Sequence, residues 1–174
     1  MTDIIKAMNP TAPLTTEEAA LAAARVSAVG IVVGAINQVI GGWYATTPDA
    51  QAAAARAVES LTGQPVDPAA LAQQSQIGLY MTGGFIVLQL ILAFVQWKKP
   101  NMVLPILFLV LVIWGLGTGL LALVMPAFGA GQPMWLSLTI VILMLFAAVT
   151  HIAGIRGASA LGKIRFAAAN EYKD

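Results

Sequence analysis

Two adjacent amides, Asn37 and Gln38, stand near the middle of a long apolar run, within the stretch GAINQVIGGWY. An amide without a hydrogen-bond partner in hydrocarbon is costly, so both side chains must face protein or water. Neighbouring residues of a helix point about 100° apart, so the two amides contact different neighbours. Gln89 and Gln96, seven residues apart on a later apolar run, are candidate partners. The amides predict hydrogen bonds between helices; a polar solute pathway and an intermolecular interface are the alternatives.

His151 is the single histidine of the chain and lies near the end of the last apolar run. Ionisable side chains inside membranes are functional candidates, as proton relays, haem ligands or quinone contacts. A haem would need a second axial ligand from another copy or another subunit. A hydrogen-bonded histidine at the membrane boundary is the competing interpretation. We therefore predict no cofactor, with haem or quinone at His151 as the alternative.

The composition is that of a membrane protein. Of the 174 residues, 59% are hydrophobic and 10% are charged, whereas soluble domains carry about 25% charged residues. A net charge of +1, without a basic stripe, argues against nucleic-acid binding. The absence of cysteine excludes disulfides, thiolate metal sites and thiol nucleophiles, and one histidine cannot form a multi-histidine metal site.

Four apolar runs reach the roughly 20 residues that a membrane span requires. They cover residues 26–46, 77–97, 102–125 and 134–155, and none contains a charged residue. The chain is therefore predicted to be an all-α polytopic membrane protein of one domain. Its four transmembrane helices are expected to form an antiparallel bundle, with an N-terminal segment 1–25, an outer loop 47–76 and a tail 156–174.

The distribution of basic residues predicts the orientation. All of the nine Lys and Arg residues except Arg56 fall on one side of the spans, which places both termini in the cytoplasm. Trp43 and Trp135 then mark the outer membrane interface, and Trp97 marks the inner one. Basic residues beside spans two and four are expected to meet lipid headgroups, each contributing about 1 kcal/mol: Lys98, Lys99, Arg156, Lys163 and Arg165.

Start and stop signals outside the spans predict three further helical features. Thr15, with Glu18 three residues later, has the spacing of a capping box, so helix one should begin before the membrane and enter it unbroken. In the outer loop, Thr47, Pro48 and Gly63 bound a short helix. The tail keeps a helical composition and is expected to extend helix four into the cytoplasm.

The loops add further expectations. Ala54, Val58 and Leu61 form a thin stripe on the outer helix, which would rest on the spans or the membrane interface, or else dock a partner. Asp67 and Pro68 repeat the cap signal, so helix two should begin outside the membrane. The short connections KKPN and PAFGAGQP predict that helix three lies beside helices two and four.

Small residues recur within the spans and predict close helix contacts. Gly30 and Gly34 form GIVVG in span one. Span three contains WGLGTG, which lacks the strand and acidic residue of a nucleotide motif and contributes Trp114, Gly115, Gly117 and Gly119. These patches, with MTGGF in span two, exceed the needs of one small bundle and favour contacts with other subunits.

The side chains that the spans lack limit the possible functions. No span contains the carboxylate on which ion-coupled transport generally depends, and no loop is long enough for a catalytic domain, so we predict no enzyme and no catalytic residues. The leading hypothesis is an accessory, scaffold or assembly subunit of a larger bacterial inner-membrane complex, which binds the bilayer and other subunits by helix packing. The alternatives are a homo-oligomeric channel or carrier for an uncharged small solute and, less favoured, a quinone- or haem-binding redox anchor.

Overall fold

The computed structural model describes residues 4–125 and 132–171. Within these ranges the regular structure is helical, and four helices are long and apolar enough to span a membrane, as the hydropathy predicts. The connection PAFGAGQP lies largely outside the described residues. The helices, in chain order, are α1 (Ile4–Met8), α2 (Glu17–Ala45), α3 (Pro48–Thr62), α4 (Pro68–Lys98), α5 (Val103–Val124) and α6 (Met134–Glu171).

The start of α2 differs from the prediction by one residue. Thr16, not Thr15, is the N-cap, and its side chain accepts a hydrogen bond from the backbone N–H of Ala19 at 3.2 Å. Glu17 and Glu18 then occupy the first turn, where the helix dipole favours negative charge. From there α2 continues without a break to Ala45, as expected from the lack of a helix breaker.

The signals in the outer loop produce the expected helix. Thr47 caps α3 by accepting from the N–H of Ala50 at 3.3 Å, and α3 stops at Gly63, whose φ of 67° suits a residue without a Cβ. Asp67 caps α4 in the same way. The predicted stripe does not rest on the spans, however, because Val58 and Leu61 are exposed; the buried residue of α3 is Ala53.

Helix length shows which elements project beyond a bilayer. At about 1.5 Å per residue, the 22 residues of α5 extend for about 33 Å, close to the roughly 30 Å of a hydrocarbon core. The 38 residues of α6 extend for about 57 Å. Its far end lies beside the start of α2, where Arg165 Nε donates to Glu17 Oε1 at 2.8 Å. The chain therefore begins α2 and finishes α6 at the same end, called here the basic end.

The central packing unit is the antiparallel pair α2–α6. Helix α4 packs on α2, and α5 packs on α6, but α4 and α5 make few contacts with each other. The prediction that the KKPN connection makes these two helices neighbours along their length is therefore wrong. They meet α2 in one cluster near that connection, where Ala93 and Phe108 join Ala28 and Ile31. Elsewhere the α2–α6 pair occupies the space between them.

Three glycines allow α2 and α6 to approach closely. A Cβ on Gly157 would collide with the backbone of Ala23 and Ala24, lying 2.6 Å from the carbonyl carbon of Ala23. A Cβ on Gly154 would lie 2.5 Å from Ser27 Cβ. Gly30, on α2, faces α6 in turn, against Thr150 and His151. This seam of small residues continues beyond the predicted end of span four, at Ile155.

We predict that Gly157→Ala destabilises the protein while Gly162→Ala does not. Both changes add the same methyl to α6 and gain the same helix propensity, up to about 1 kcal/mol. Only at position 157 must the methyl displace backbone, and overpacking of this kind costs about 1–3 kcal/mol; nothing lies within 4 Å of the corresponding position on Gly162. Unfolding in detergent, followed by the helical circular dichroism signal, measures the difference. Equal stability of the two variants would contradict the proposed seam.

Candidate functional site

Five polar side chains are buried within the described residues, and some of them serve only their own helix. Ser27 Oγ donates to the carbonyl of Ala24 at 3.1 Å. Thr150 Oγ1 donates to the carbonyl of Ala147 at 2.8 Å. Bonds of this kind satisfy a hydroxyl inside a helix without a partner from another element. The buried set is Ser27, Gln96, Ser137, Thr150 and His151.

Gln96 joins three parts of the fold. Its Nε2 donates to the carbonyl of Ala24 on α2 at 3.2 Å and to the carbonyl of Asn101 at 3.1 Å. Its Oε1 accepts from the N–H of Asn101 at 3.3 Å. Asn101 Oδ1 in turn accepts from the N–H groups of Val103 and Leu104, at 2.9 and 3.0 Å, and so caps α5. An amide engaged in this way has little capacity left for a passing solute.

Three other amides have buried oxygens that accept no hydrogen bond: Asn37 Oδ1, Gln38 Oε1 and Gln89 Oε1. Gln89 Oε1 reaches across from α4 to α2, where it lies 3.7 Å from the Cβ position of Gly34. Asn37 and Gln38 follow one turn later on α2, so they share the general face of Gly34. Within the described residues, the predicted pairing between helices is therefore absent at these oxygens, and Gln89 and Gln96, both candidate partners, have different environments.

His151 is fully buried where α6 meets α2 and α5. Its ring stacks on Phe108, with centroids 5.9 Å apart and planes inclined by 18°. Ring atom Nε2 lies 3.0 Å from the Cβ position of Gly30, and neither ring nitrogen has a hydrogen-bond partner. Within the described residues, His151 therefore lacks the hydrogen bond that the boundary interpretation expected. A side chain at position 30 would meet the His151 ring.

The small residues of the spans divide into two sets. Gly115 faces Met144, whose Sδ is 3.4 Å from its Cβ position, and Gly119 faces Val141 at 3.2 Å. With Gly30 and Gly34, they serve contacts inside the chain. Between them, the Cβ position of Gly117 has no atom of another described element within 4 Å.

The outward set lies on α4 and α5. Trp114, close to Gly117, has 76% of its surface exposed. Gly83 and Gly84 of α4 are as open as Gly117.

Basic side chains gather at the basic end, several of them with protein partners. Arg25, which the sequence did not single out, donates from Nε to the carbonyl of Trp97 at 3.0 Å and lies 5.8 Å from its ring centroid. Lys98 Nζ lies 5.7 Å from the ring centroid of Phe94. Arg165 pairs with Glu17, and an exposed pair of this type contributes at most about 1 kcal/mol. Arg25 could have been found from its adjacency to span one.

No family model matches the chain, and no curated protein or solved structure shows significant similarity to it. Among the described residues, no group of three or more His, Cys, Asp or Glu side chains is placed to hold a metal ion. The features that remain to indicate a function are the helix surfaces and the two kinds of buried amide.

We predict that Gln96→Leu destabilises the protein by about 2 kcal/mol, because it leaves the N–H and C=O of Asn101 without their partner. Gln89→Leu is the matched control, since it removes an oxygen that has no partner, and its stability should be unchanged or higher. Detergent unfolding curves of both variants give the comparison. A similar loss in both would show that Gln96 is not a structural joint.

Proposed function

We propose that this chain is a non-catalytic subunit of a bacterial inner-membrane complex, which binds the transmembrane helices of partner subunits through the outward faces of α4 and α5. The observation that carries the proposal is the empty space beside Gly117 and beside the pair Gly83–Gly84. These glycines lie on long apolar helices, yet the chain's own packing does not use them. A partner helix that packs against α4 or α5 would use these glycines for close contact.

The physical argument concerns what glycine offers a membrane helix. Apolar helices gain little by burying apolar surface against each other in lipid, so their association depends on close packing, which small residues permit. Inside this chain, Gly30, Gly154 and Gly157 serve that purpose. Glycine costs about 1 kcal/mol relative to alanine in a helix interior, and on a surface that meets only lipid nothing offsets this cost.

The surface around Gly117 has the shape of a helix-binding notch. Trp114 projects beside it, and an open apolar cleft of about 390 Å³ follows this face of α5. In α4, which packs on α2 along one side, the fully buried residues are Ala93 and Gln96, and the opposite side faces outward. Helices held on one side only are well placed to accept neighbours. The cleft is lined by Val110, Ile113, Trp114, Gly117, Thr118 and Leu121.

The proposed orientation places both termini in the cytoplasm. It is supported by the excess of Lys and Arg at one end of the spans and by the length of α6, whose excess over a bilayer lies at that end. The outer helix α3 then faces the opposite compartment, where the exposed Val58 and Leu61 are available to a second contact.

Gentle extraction of a chromosomally tagged copy tests the proposal. Companions in fixed ratio are expected with the wild-type chain. Gly117→Leu and Gly83→Leu should each reduce their recovery, while unfolding curves show no loss of stability because both sites are open. Gly162→Leu, at an open site in the extension of α6, is the control and should retain them. Full recovery of companions with both variants, or a wild-type chain that purifies alone, would refute the proposal.

The unpaired oxygens of Asn37, Gln38 and Gln89 favour a second candidate, a homo-oligomeric channel or carrier for an uncharged small solute. Buried acceptors without donors are costly, and a solute that donates hydrogen bonds would satisfy them in turn.

Liposome swelling in glycerol or urea separates the two candidates. As a partner-binding subunit, the wild-type chain should show only background flux. Flux above background that disappears on leucine substitution of these amides would favour the channel instead.

A further inference from the structure

One cleft at the basic end combines two cations with apolar walls. It has a volume of about 400 Å³ and lies between the N-terminal segment, the start of α5 and the middle of α6. Arg156 and Lys163 stand seven residues apart, two turns, on the same face of α6. Apolar side chains from all three elements complete the walls: Leu14, Met102 and Ile155.

The two cations are less engaged by protein than Arg25, Lys98 and Arg165 at the same end. Arg165 pairs with Glu17, Arg25 covers Trp97, and Lys98 lies over Phe94. By contrast, Arg156 makes one long contact, from Nη2 to the carbonyl of Ala12 at 3.4 Å. Lys163 has neither a hydrogen bond nor an ion pair within the described part of the chain.

The level of the cleft relative to the membrane indicates which kind of anion it binds. Met102 opens the apolar run of α5, and Ile155 closes that of α6, so the cleft lies where two spans reach the edge of the hydrocarbon. A phospholipid headgroup occupies this level, with its phosphate in the polar zone and its acyl chains against apolar residues. The start of α5 adds the positive end of a helix dipole beside it.

We infer that this cleft is a specific binding site for one anionic phospholipid, whose phosphate lies between Arg156 and Lys163 and whose acyl chains descend along Met102 and Ile155. The site does not depend on the proposed partner helices, because it lies apart from Gly117 and the α4 glycines. Its occupant also contacts Leu14, so the lipid would fasten the N-terminal segment to α5 and α6.

Native mass spectrometry of the purified full chain, titrated with phosphatidylglycerol, tests the site. Arg156→Gln/Lys163→Gln should weaken binding of the first lipid about thirtyfold, the combined effect of two basic residues near an anionic headgroup. Lys98→Gln/Lys99→Gln removes the same charge from the same end of the molecule and should leave binding within about threefold, from the loss of long-range attraction alone. Lys163→Gln alone should weaken binding about fivefold, and it breaks no contact of the fold.

Two further arms identify the ligand. Phosphatidylcholine should not compete with phosphatidylglycerol, and neither should inorganic phosphate at concentrations equal to the lipid. Equal weakening by the two double variants would mean diffuse attraction and would overturn the specific site. Displacement of the lipid by inorganic phosphate would overturn the lipid assignment and leave a simple anion site.

Discussion

The close approach of α2 and α6 is the interaction on which the rest of the structure depends. Apolar side chains pack about as favourably against lipid as against another helix. Two long helices therefore hold together only where their backbones come close enough for dense packing. Gly154 and Gly157 on α6, opposite Ser27, Ala24 and Ala23 on α2, provide this distance. The same seam continues past the apolar spans to the exposed Glu17–Arg165 pair.

Helices α4 and α5 attach to this pair through different contacts. Helix α5 lies on α6 through Gly115 and Gly119, which accept Met144 and Val141. Helix α4 follows α2 from the contact of Thr82 with Gly42 to the basic end, where Gln96 bonds to Ala24 and Asn101 and where Ala93 joins the cluster around Ile31. Between these points, α4 presents open glycines and an unpaired Gln89.

Local signals predicted the elements well, and the packing poorly. Hydropathy located the four long helices because a span requires a run of sufficient length, and caps such as Thr47 and Asp67 act within three residues. Which helices are neighbours cannot be read in the same way, since a span that is apolar all round does not show which face is inside. The KKPN connection therefore suggested a pairing of α4 with α5 that the α2–α6 pair prevents.

The site residues show the same division. The small-residue pattern identified Gly30 within its span, but it missed Gly154 and Gly157, because these two straddle the predicted end of span four at Ile155. The choice of Thr15 over Thr16 also failed for a simple reason: two adjacent threonines offer the same hydroxyl, and only the geometry of Ala19 decides between them.

The amides show most clearly where sequence reasoning ends. Gln89 and Gln96 are chemically identical, lie on one helix and are seven residues apart, yet one is unpaired and the other has three hydrogen bonds. The difference arises from position along α4. Gln96 is close to the chain reversal, where Asn101 offers free backbone groups, whereas Gln89 faces only helices whose backbone groups bond to themselves. A polar residue in mid-span must therefore find another side chain, water or a solute. Among the described residues, the oxygens of Asn37, Gln38 and Gln89 have found no such side chain.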